Sequence, residues 1–452
     1  MMRRILVGWV VLVAAAAAGA GVVGVWDGVL EVPGGSLALV LHVDEDDAGA
    51  WSASLDSPDQ GVFGMKAGEV RWEAPRLTVD FPSLSARYVG AMDAAGANLE
   101  GTWSQGGGAL PLALVRRADG PPRRPQMPVP PFPYESADVT VRNQAAGVDL
   151  AGTFTVPPGD GPFATVLLLT GSGAQDRDET ILGHKPFLVL ADHLSRTDVA
   201  VLRLDDRGVG GSDRGPAGAT TADFARDALA AVAWLRARPE VDARRLGLLG
   251  HSEGGLIAAV AAAQDPGVGF LVLLAGPAVP GSRILAYQGA RGMARIPGYA
   301  AEEPRVRAAL AQLYAAPLDS VEAVLTAVAA DLGAPLAALT GLTPANAPAI
   351  RTQISDPWLR WFLDHDPAPD LAALDIPVLA LFGTKDTQVP PSLNADPMRA
   401  VLHNPHSRVE VFPDLNHLFQ PAVTGELSEY EQIETTISPE VLQALTAFIL
   451  QR

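Results

Sequence analysis

The chain has 452 residues, of which 48% are hydrophobic and 19% charged, so length and composition predict a folded protein of two domains. The formal net charge of −18 disfavours binding to nucleic acid or to anionic lipid, and no basic stripe reverses it locally. Because the chain has no cysteine, disulfide frameworks, thiolate metal sites, cysteine nucleophiles and lipid anchors on cysteine are excluded.

The first 25 residues predict export from the cytoplasm. Two arginines precede an apolar run over residues 5–18, and small side chains at 18–20 suit cleavage of a signal peptide. The run continues weakly to Val25, so an uncleaved anchor in the inner membrane is the alternative hypothesis. We therefore expect a periplasmic or secreted protein, with no membrane contact beyond this segment.

Residues 26–117 alternate apolar and polar side chains over short runs, for example the leucines at 37, 39 and 41. A period of two is typical of half-buried strands, and turn sequences rich in glycine and asparagine separate the runs. This pattern predicts a small antiparallel β domain without a catalytic grouping of its own. The seven prolines that follow favour extended polyproline geometry, so residues 118–134 are predicted to be a semi-rigid linker.

Residues 135–452 alternate apolar strands with alanine-rich helices, which predicts an α/β fold with a mostly parallel sheet covered by helices on both faces. Between about 280 and 370 this alternation lapses into helical sequence too long for a loop, and we interpret it as an inserted helical cap. A hairpin, Asp138–Arg142 with Val148–Val156, is expected first. The strands expected after it are Ala164–Thr170, Val199–Leu204, Leu246–Leu249, Phe270–Leu274, Val378–Phe382 and Val409–Phe412.

A nucleophile motif, Gly250-His251-Ser252-Glu253-Gly254, lies between the predicted strand Leu246–Leu249 and a helix predicted to start near Gly255. A serine on a tight strand-to-helix turn exposes its hydroxyl at the sheet edge, and the turn requires small residues two positions before and after it. Ser252 is therefore the candidate nucleophile, whereas His251 is expected to point away from it. A similar string, Gly34–Ala38, lies between short strands and lacks this context.

A serine hydroxyl needs a base within hydrogen-bond reach, and the base needs a carboxylate that fixes its tautomer. In a nucleophile elbow of this kind the order is serine, acid, histidine. Asp386 follows the strand that ends at Phe382, and His417 follows the next strand, so these are the candidate acid and base. Two weaker alternatives exist for the acid: Asp375, before the first of these strands, and Asp414, which shapes the loop after the second. His403 and His406, which precede the second strand, are the weaker alternatives for the base.

Attack on a carbonyl builds negative charge on its oxygen, which two fixed backbone N–H groups must stabilise. Glu253, directly after the nucleophile, supplies one expected donor, and the loop Thr170–Ala174 supplies the other from Ser172 or, failing that, Gly173. A merely flexible turn is the alternative interpretation of that loop. The sequence lacks dinucleotide, zinc-protease, phosphate-loop and S-x-x-K motifs, which sets these chemistries aside.

From about Ser136 to its end, the chain resembles the α/β-hydrolases, and among them two-domain bacterial carboxylesterases of the EstD type. The resemblance implies hydrolysis of short-chain acyl esters through an acyl-enzyme, without metal or organic cofactor. Where this family normally has His-Gly, the present chain has Thr170-Gly171. The motifs that carry the likeness are Gly171–Glu179, Asp206–Ser212, Gly250–Gly255, Asp356–Trp358, Asp386 and His417.

Two alternatives stay open for the function: a serine peptidase or aminopeptidase of the same fold, and a non-catalytic binding protein with a decayed site. The expected partner is a small-molecule ester, and the sequence does not determine an oligomeric state. The cap is expected to supply an apolar wall for the substrate, although each candidate side chain could equally be packing inside the cap. These candidates are Trp358, Trp361, Phe362, Tyr287 and Met293.

Overall fold

The computed structural model describes residues 21–32, 35–46, 49–57, 62–117, 123–296 and 298–452. They belong to two compact units, one ending at Pro122 and the other starting at Arg123. The predicted signal segment up to Ala20 lies outside the described residues, as do residues 118–122 of the predicted linker. No helix in the described part of the chain has both the length and the apolar content needed to span a bilayer.

The first unit is an antiparallel meander sheet, ordered β4-β3-β2-β1-β9-β8-β7-β6-β5. Its two edges approach each other at residues 67 and 68, where the N–H of Ala67 donates to the Ala53 carbonyl and that of Gly68 to the Asp80 carbonyl. Alternate residues of each strand face a core that contains Trp26 and Tyr88. The strands are β1 Gly24–Val32, β2 Gly35–Glu45, β3 Trp51–Ser57, β4 Val62–Lys66, β5 Glu69–Glu73, β6 Arg76–Phe81, β7 Ala86–Met92, β8 Asn98–Gln105 and β9 Gly108–Arg116.

This unit includes residues that precede the predicted boundary at 26. Val22 is fully buried, and its carbonyl accepts a hydrogen bond from Trp26 Nε1 at 3.0 Å. The Arg116 guanidinium donates to the carbonyls of Gly21 and Val23 at 2.6 and 2.5 Å. Residues from Gly21 onward therefore pack as part of the β unit.

The second unit is built on a sheet ordered β10-β11-β13-β12-β14-β15-β16-β17. The first two pairings are antiparallel and all others are parallel. The predicted fold class, a mostly parallel α/β sheet preceded by an antiparallel β domain, is confirmed. The strands are β10 Glu135–Asn143, β11 Val148–Val156, β12 Phe163–Leu169, β13 Val199–Leu204, β14 Val241–His251, β15 Phe270–Leu274, β16 Val378–Gly383 and β17 Arg408–Phe412.

Two groups of helices cover this sheet, α1 with α13 and α2 with α3 and α10. Their contact surfaces form the main core with the strands, whose central residues such as Val201 and Leu248 are fully buried. The helices of these groups, with two others near the sheet, are α1 Pro186–Ser195, α2 Thr221–Arg236, α3 Glu253–Gln264, α10 Ala368–Ala372, α11 Pro391–Val401, α12 Leu427–Tyr430 and α13 Pro439–Leu450.

Between β15 and β16 the chain forms the predicted helical cap, with a separate apolar core around Val321 and Leu325. Its helices are α4 Gly281–Arg291, α5 Glu303–Tyr314, α6 Val321–Leu332, α7 Ala334–Thr340, α8 Ala347–Ile354 and α9 Pro357–Asp364.

Part of the predicted linker also belongs to the second unit. The Arg124 guanidinium donates to the carbonyls of Leu182, Glu431 and Ile433, and Gln126 Nε2 donates to the carbonyl of Ile437. Residues from Arg123 on are therefore anchored within the second unit by hydrogen bonds to its loops.

Candidate active site

Ser252 occupies a sharp turn between β14 and α3, with φ of 53° and ψ of −121°. A positive φ is costly for a residue with a side chain and persists only where the surroundings enforce it. Here the N–H of Ser252 donates to the Leu274 carbonyl of β15 at 2.8 Å, and α3 begins at the next residue. The helix thus starts two residues earlier than predicted, directly after the candidate nucleophile.

The glycines of the motif are required by close backbone contacts. A Cβ at Gly250 would lie 2.0 Å from the Gly254 carbonyl oxygen, and a Cβ at Gly254 would lie 2.0 Å from the Leu169 carbonyl oxygen. Both distances are far below van der Waals contact. Any larger residue at either position would therefore force the turn open and move Ser252.

Asp386 and His417 form a buried hydrogen-bonded pair. Asp386 lies in the loop after β16 and His417 in the loop after β17, and Oδ2 of the acid is 2.8 Å from His417 Nδ1. The other carboxylate oxygen, Oδ1, accepts the N–H groups of Gln388 and Val389 at 2.8 Å each. Although burial raises the pKa of Asp386, His417 and these N–H donors outweigh it and hold the pKa below its ordinary value.

The loop that carries His417 is held by its own side chains. Oδ1 of the buried Asn416 accepts the N–H groups of Leu418 and Gln420, and its Nδ2 donates to Gln420 Oε1. A Cβ at Gly383 would lie 2.1 Å from the Leu415 carbonyl oxygen, so the acid and base loops are in close contact. The Asp386–His417 geometry is therefore fixed from both sides.

The structure brings Ser252 into the same neighbourhood, through the residue before it. His251 Nε2 lies 3.0 Å from the His417 carbonyl oxygen, and the rings of these two histidines are 4.7 Å apart. No hydrogen bond joins the Ser252 hydroxyl to His417 within the described residues. Catalytic hydrogen bonds are often long before substrate binds and shorten in the complex.

The weaker alternatives lie apart from this pair. Asp414 is exposed, with φ of 54°, and its N–H donates to Thr384 Oγ1. The carbonyl of Asp375 accepts from Asn404, at the end of β16 opposite to Asp386. His403 and His406 precede β17. Of the carboxylates in the described chain, the one bonded to His417 is Asp386.

The candidate oxyanion loop follows β12 and lies against Ser252. A Cβ at Gly171 would lie 3.3 Å from Ser252 Cβ, and the Gly171 N–H donates to Glu179 Oε1 at 2.8 Å. The N–H groups of Ser172 and Glu253 donate to no acceptor within the described chain. The sequence predicts these two N–H groups as oxyanion donors, with that of Gly173 as the alternative to Ser172.

Thr170, at the start of the candidate oxyanion loop, is hydrogen-bonded to the next loop. Its Oγ1 donates to Asp206 Oδ1 at 2.8 Å, and the Gln175 N–H donates to the other oxygen of the same carboxyl at 2.9 Å. Burial, together with the nearby Glu179 and Glu253, raises the pKa of Asp206 to about 7. The oxyanion loop is therefore supported by a carboxyl group that titrates near neutral pH.

The cap reaches the nucleophile elbow through Trp358. Glu253 is buried, and its Oε1 accepts hydrogen bonds from Trp358 Nε1 at 2.8 Å and from Thr221 Oγ1 at 2.6 Å. The Trp358 ring stacks on Phe362 with centroids 5.7 Å apart. Helix α9 is therefore bonded to the residue that supplies an expected oxyanion donor.

The other wall candidates have different surroundings. Trp361 stacks on His365, and the Tyr287 hydroxyl accepts from Arg291. Met293 is 5% exposed within the cap core, and Phe362 is buried against the main core. Among the five candidates, a hydrogen bond to the elbow is made in the described chain by Trp358 alone.

Sequence reasoning assigned no role to three residues that join the site loops. Glu179 and His251 bond across 72 positions, and Asn416 shapes the base loop. Glu179 lies in the motif Gly171–Glu179, but such long-range contacts leave no periodic pattern in the sequence. Within the described chain, no group of three or more His, Asp or Glu side chains is arranged to hold a metal ion.

Comparison with known proteins gives a family and one curated relative. A family model described as alpha/beta hydrolase fold matches residues 164–421, more than half of the chain. The chain is similar to Esterase EstD of Thermotoga maritima, at 29% identity over 301 residues, which cover 66% of this chain. Those residues span 62% of the length of that relative.

Solved structures with a similar fold include an esterase of Pyrococcus furiosus, with a TM-score of 0.42 and 16% identity over 70% of this chain and 91% of that one. A 2,6-dihydroxy-pseudo-oxynicotine hydrolase has a TM-score of 0.40 and 17% identity over 71% of this chain and 69% of that one. At these scores the neighbours carry no argument about activity. By the family match, the chain belongs to the alpha/beta hydrolases.

Proposed function

We propose that this protein is a serine esterase that cleaves short-chain carboxylic esters through an acyl-enzyme. The observation that carries the proposal is the buried pair of Asp386 and His417 beside a strained Ser252 turn. The similarity to Esterase EstD supports an ester as the substrate. The proposed catalytic residues are Ser252, Asp386 and His417, with the N–H groups of Glu253 and Ser172 stabilising the oxyanion.

The tautomer of His417 follows from the state of its partner. With its pKa held low, Asp386 is an ionised carboxylate near neutral pH and can only accept hydrogen bonds. His417 Nδ1 must then carry the proton, and Nε2 presents its lone pair. This is the form that can take the hydroxyl proton of Ser252.

The proposed reaction has two steps at one carbonyl carbon. Ser252 Oγ attacks the ester carbon while its proton passes to His417 Nε2, and the carbonyl oxygen becomes an oxyanion held by two N–H groups. The intermediate expels the alcohol, which takes the proton from His417. A water molecule then attacks the acyl-enzyme with His417 again as base, which releases the acid and restores Ser252.

The proposed acyl wall is Trp358, because its indole is fixed next to the residue after the nucleophile. The bond to Glu253 leaves the ring little freedom, so the proposed wall is rigid. A rigid aromatic wall favours acyl groups that fit without displacing it.

The function is tested by initial rates on nitrophenyl esters of graded acyl length, beside aminoacyl nitroanilides as amide substrates. We expect ester turnover to exceed amide turnover, with the highest kcat/KM on short acyl chains. The serine peptidase alternative requires the reverse order. Absence of turnover on both series, with no fluorophosphonate labelling, would support the decayed binding protein instead.

We propose further that the N-terminal segment is a cleaved export signal. Val22 is fully buried in the β unit, so the apolar run ahead of it ends near residue 20. Residues 5–20 would extend about 24 Å as a helix, short of a hydrocarbon core of about 30 Å. In a bacterial host we expect a periplasmic protein whose mass corresponds to a start near Gly21; a full-length protein in the membrane fraction would contradict this.

A further inference from the structure

Glu179 is a buried carboxylate at the centre of the site loops. It is 3% exposed, and its Oε1 accepts hydrogen bonds from the Gly171 N–H at 2.8 Å and from the His251 ring at Nδ1, 2.9 Å away. Its own backbone has φ of 53°, in the left-handed region. Its second oxygen, Oε2, has no hydrogen-bond partner in the described chain. An unpaired buried oxygen and a strained backbone both cost stability, and such costs concentrate at functional sites.

The proton count of His251 follows from its two partners. Nε2 faces the His417 carbonyl, which can only accept, so Nε2 carries a proton. Nδ1 faces Glu179, and the pair shares one further proton between them. A neutral imidazole has one N–H, whereas an imidazolium has two and satisfies both acceptors. A neutral ring could bond both partners only if Glu179 carried the shared proton on Oε1, the oxygen that also accepts the Gly171 N–H, so the geometry favours an imidazolium paired with a carboxylate.

The charges around His251 agree with this state. Burial alone lowers the pKa of His251, but Glu179, the His417 carbonyl and the more distant Asp386 outweigh it and raise the pKa above its ordinary value. These groups come from the loops after β12, β17 and β16. The His417 ring is the other titratable group that packs on His251.

The Glu179–His251 pair connects three loops whose relative positions matter for the proposed reaction. Glu179 holds Gly171, so the next N–H along the chain, that of Ser172, is free for the oxyanion. His251 directly precedes Ser252 and bonds to the backbone of His417. Movement of any one of the three loops would break one of the hydrogen bonds that link Gly171, Glu179, His251 and His417.

We propose that the Glu179–His251 ion pair is a positioning device that aligns the oxyanion loop, the nucleophile turn and the base loop. Neither side chain touches the reacting atoms, so both act through Gly171, Ser252 and His417. The inference rests on the proposed esterase function for its kinetic consequence. The protonation state of the pair is independent of that function.

The test uses Glu179→Gln, which keeps the shape of the side chain and removes its charge. Without the carboxylate, His251 loses its second proton. If the amide oxygen takes the Oε1 position, a neutral ring has one N–H for two acceptors; if the NH₂ group takes it and donates to Nδ1, it faces the Gly171 N–H. In either orientation one hydrogen bond that links the three loops is lost. We expect kcat on a nitrophenyl ester to fall about 10- to 100-fold because misplacement by about 1 Å costs on this order. KM should change less than about threefold.

The matched control is Lys185→Gln. It removes another ion pair of the same segment, between Lys185 and Asp178, and within the described chain no hydrogen bond joins these two side chains to Gly171, Ser252 or His417. We expect its kcat to stay within about twofold of the wild type. A merely stabilising role for Glu179 would lower the thermal midpoint without separating kcat from KM.

A spectroscopic test needs no variant to fold. In wild-type protein with ¹⁵N-labelled histidine, both ring nitrogens of His251 should have the shifts of a protonated imidazolium at pH 7, and Glu179→Gln should convert them to those of a neutral ring. A neutral His251 in the wild type, or an unchanged kcat in Glu179→Gln, would overturn the proposal. If the wild type hydrolyses no ester, the esterase function fails, while the ring shifts still decide the ion pair.

Discussion

Replacement of Asp386 by asparagine tests how the acid controls the base. Oδ1 accepts two backbone N–H groups, so the amide oxygen of an Asp386→Asn variant should occupy that position. Its NH₂ group would then face His417 Nδ1 and donate to it. His417 would have to carry its proton on Nε2, which is the wrong tautomer to accept a proton from Ser252. The expected loss in kcat is about 10⁴-fold, equivalent to about 5.4 kcal/mol.

The assay is kcat on a short nitrophenyl ester, with circular dichroism to show that the variant is folded. Asp414→Asn is the matched control, because it changes another carboxylate three residues from His417, and asparagine tolerates the left-handed backbone there. We expect its kcat within about twofold of the wild type. The reasoning is refuted if Asp386→Asn keeps a tenth or more of wild-type kcat while folded, or if Asp414→Asn loses as much.

Three further predictions concern packing, the cap and pH. Gly250→Ala should lower the free energy of unfolding in urea by at least about 3 kcal/mol, because its Cβ would lie 2.0 Å from a carbonyl oxygen. The control Gly292→Ala has open space around its Cβ, so it should change the free energy of unfolding by less than about 1 kcal/mol. Trp358→Phe loses one hydrogen bond, so kcat/KM should fall about fivefold with little change in thermal midpoint; an unchanged value would remove the indole from the site. Burial lowers the pKa of His184 to about 4, so below about pH 6.5 the unfolded chain binds a proton that the folded chain does not. The free energy of unfolding should therefore fall between about pH 6.5 and 4, by roughly 3 kcal/mol in total. His184→Gln should show a flatter dependence of this free energy on pH, and equal slopes for the variant and the wild type would contradict the prediction.

The sheet of the second unit could be predicted well because its strands are continuous apolar runs. Val199–Leu204 and Phe270–Leu274 have the predicted bounds in the structure. β14 begins five residues earlier than predicted, at Val241, because residues 242–245, with the sequence Asp-Ala-Arg-Arg, are exposed or half-buried and form no apolar run. Periodicity therefore locates buried strand segments and misses exposed extensions.

The candidate site could be predicted where its residues directly follow strands. Asp386 and His417 were selected by their position after consecutive strands, and the structure joins them at 2.8 Å. The supporting contacts were not predictable, since Glu179 meets His251 across 72 positions and Trp358 meets Glu253 across 105. Such pairs depend on how loops pack, which a local pattern does not encode. The assignment of Ser252 as nucleophile stays a prediction.

The most direct test is covalent capture of the nucleophile. Native protein is treated with a fluorophosphonate, and the adduct is mapped by peptide mass spectrometry in the wild type and in Ser252→Ala. We expect one adduct per chain, on the peptide that contains Ser252, and neither labelling nor ester hydrolysis in the variant. An adduct on another residue, or equal labelling of the variant, would contradict the proposed mechanism.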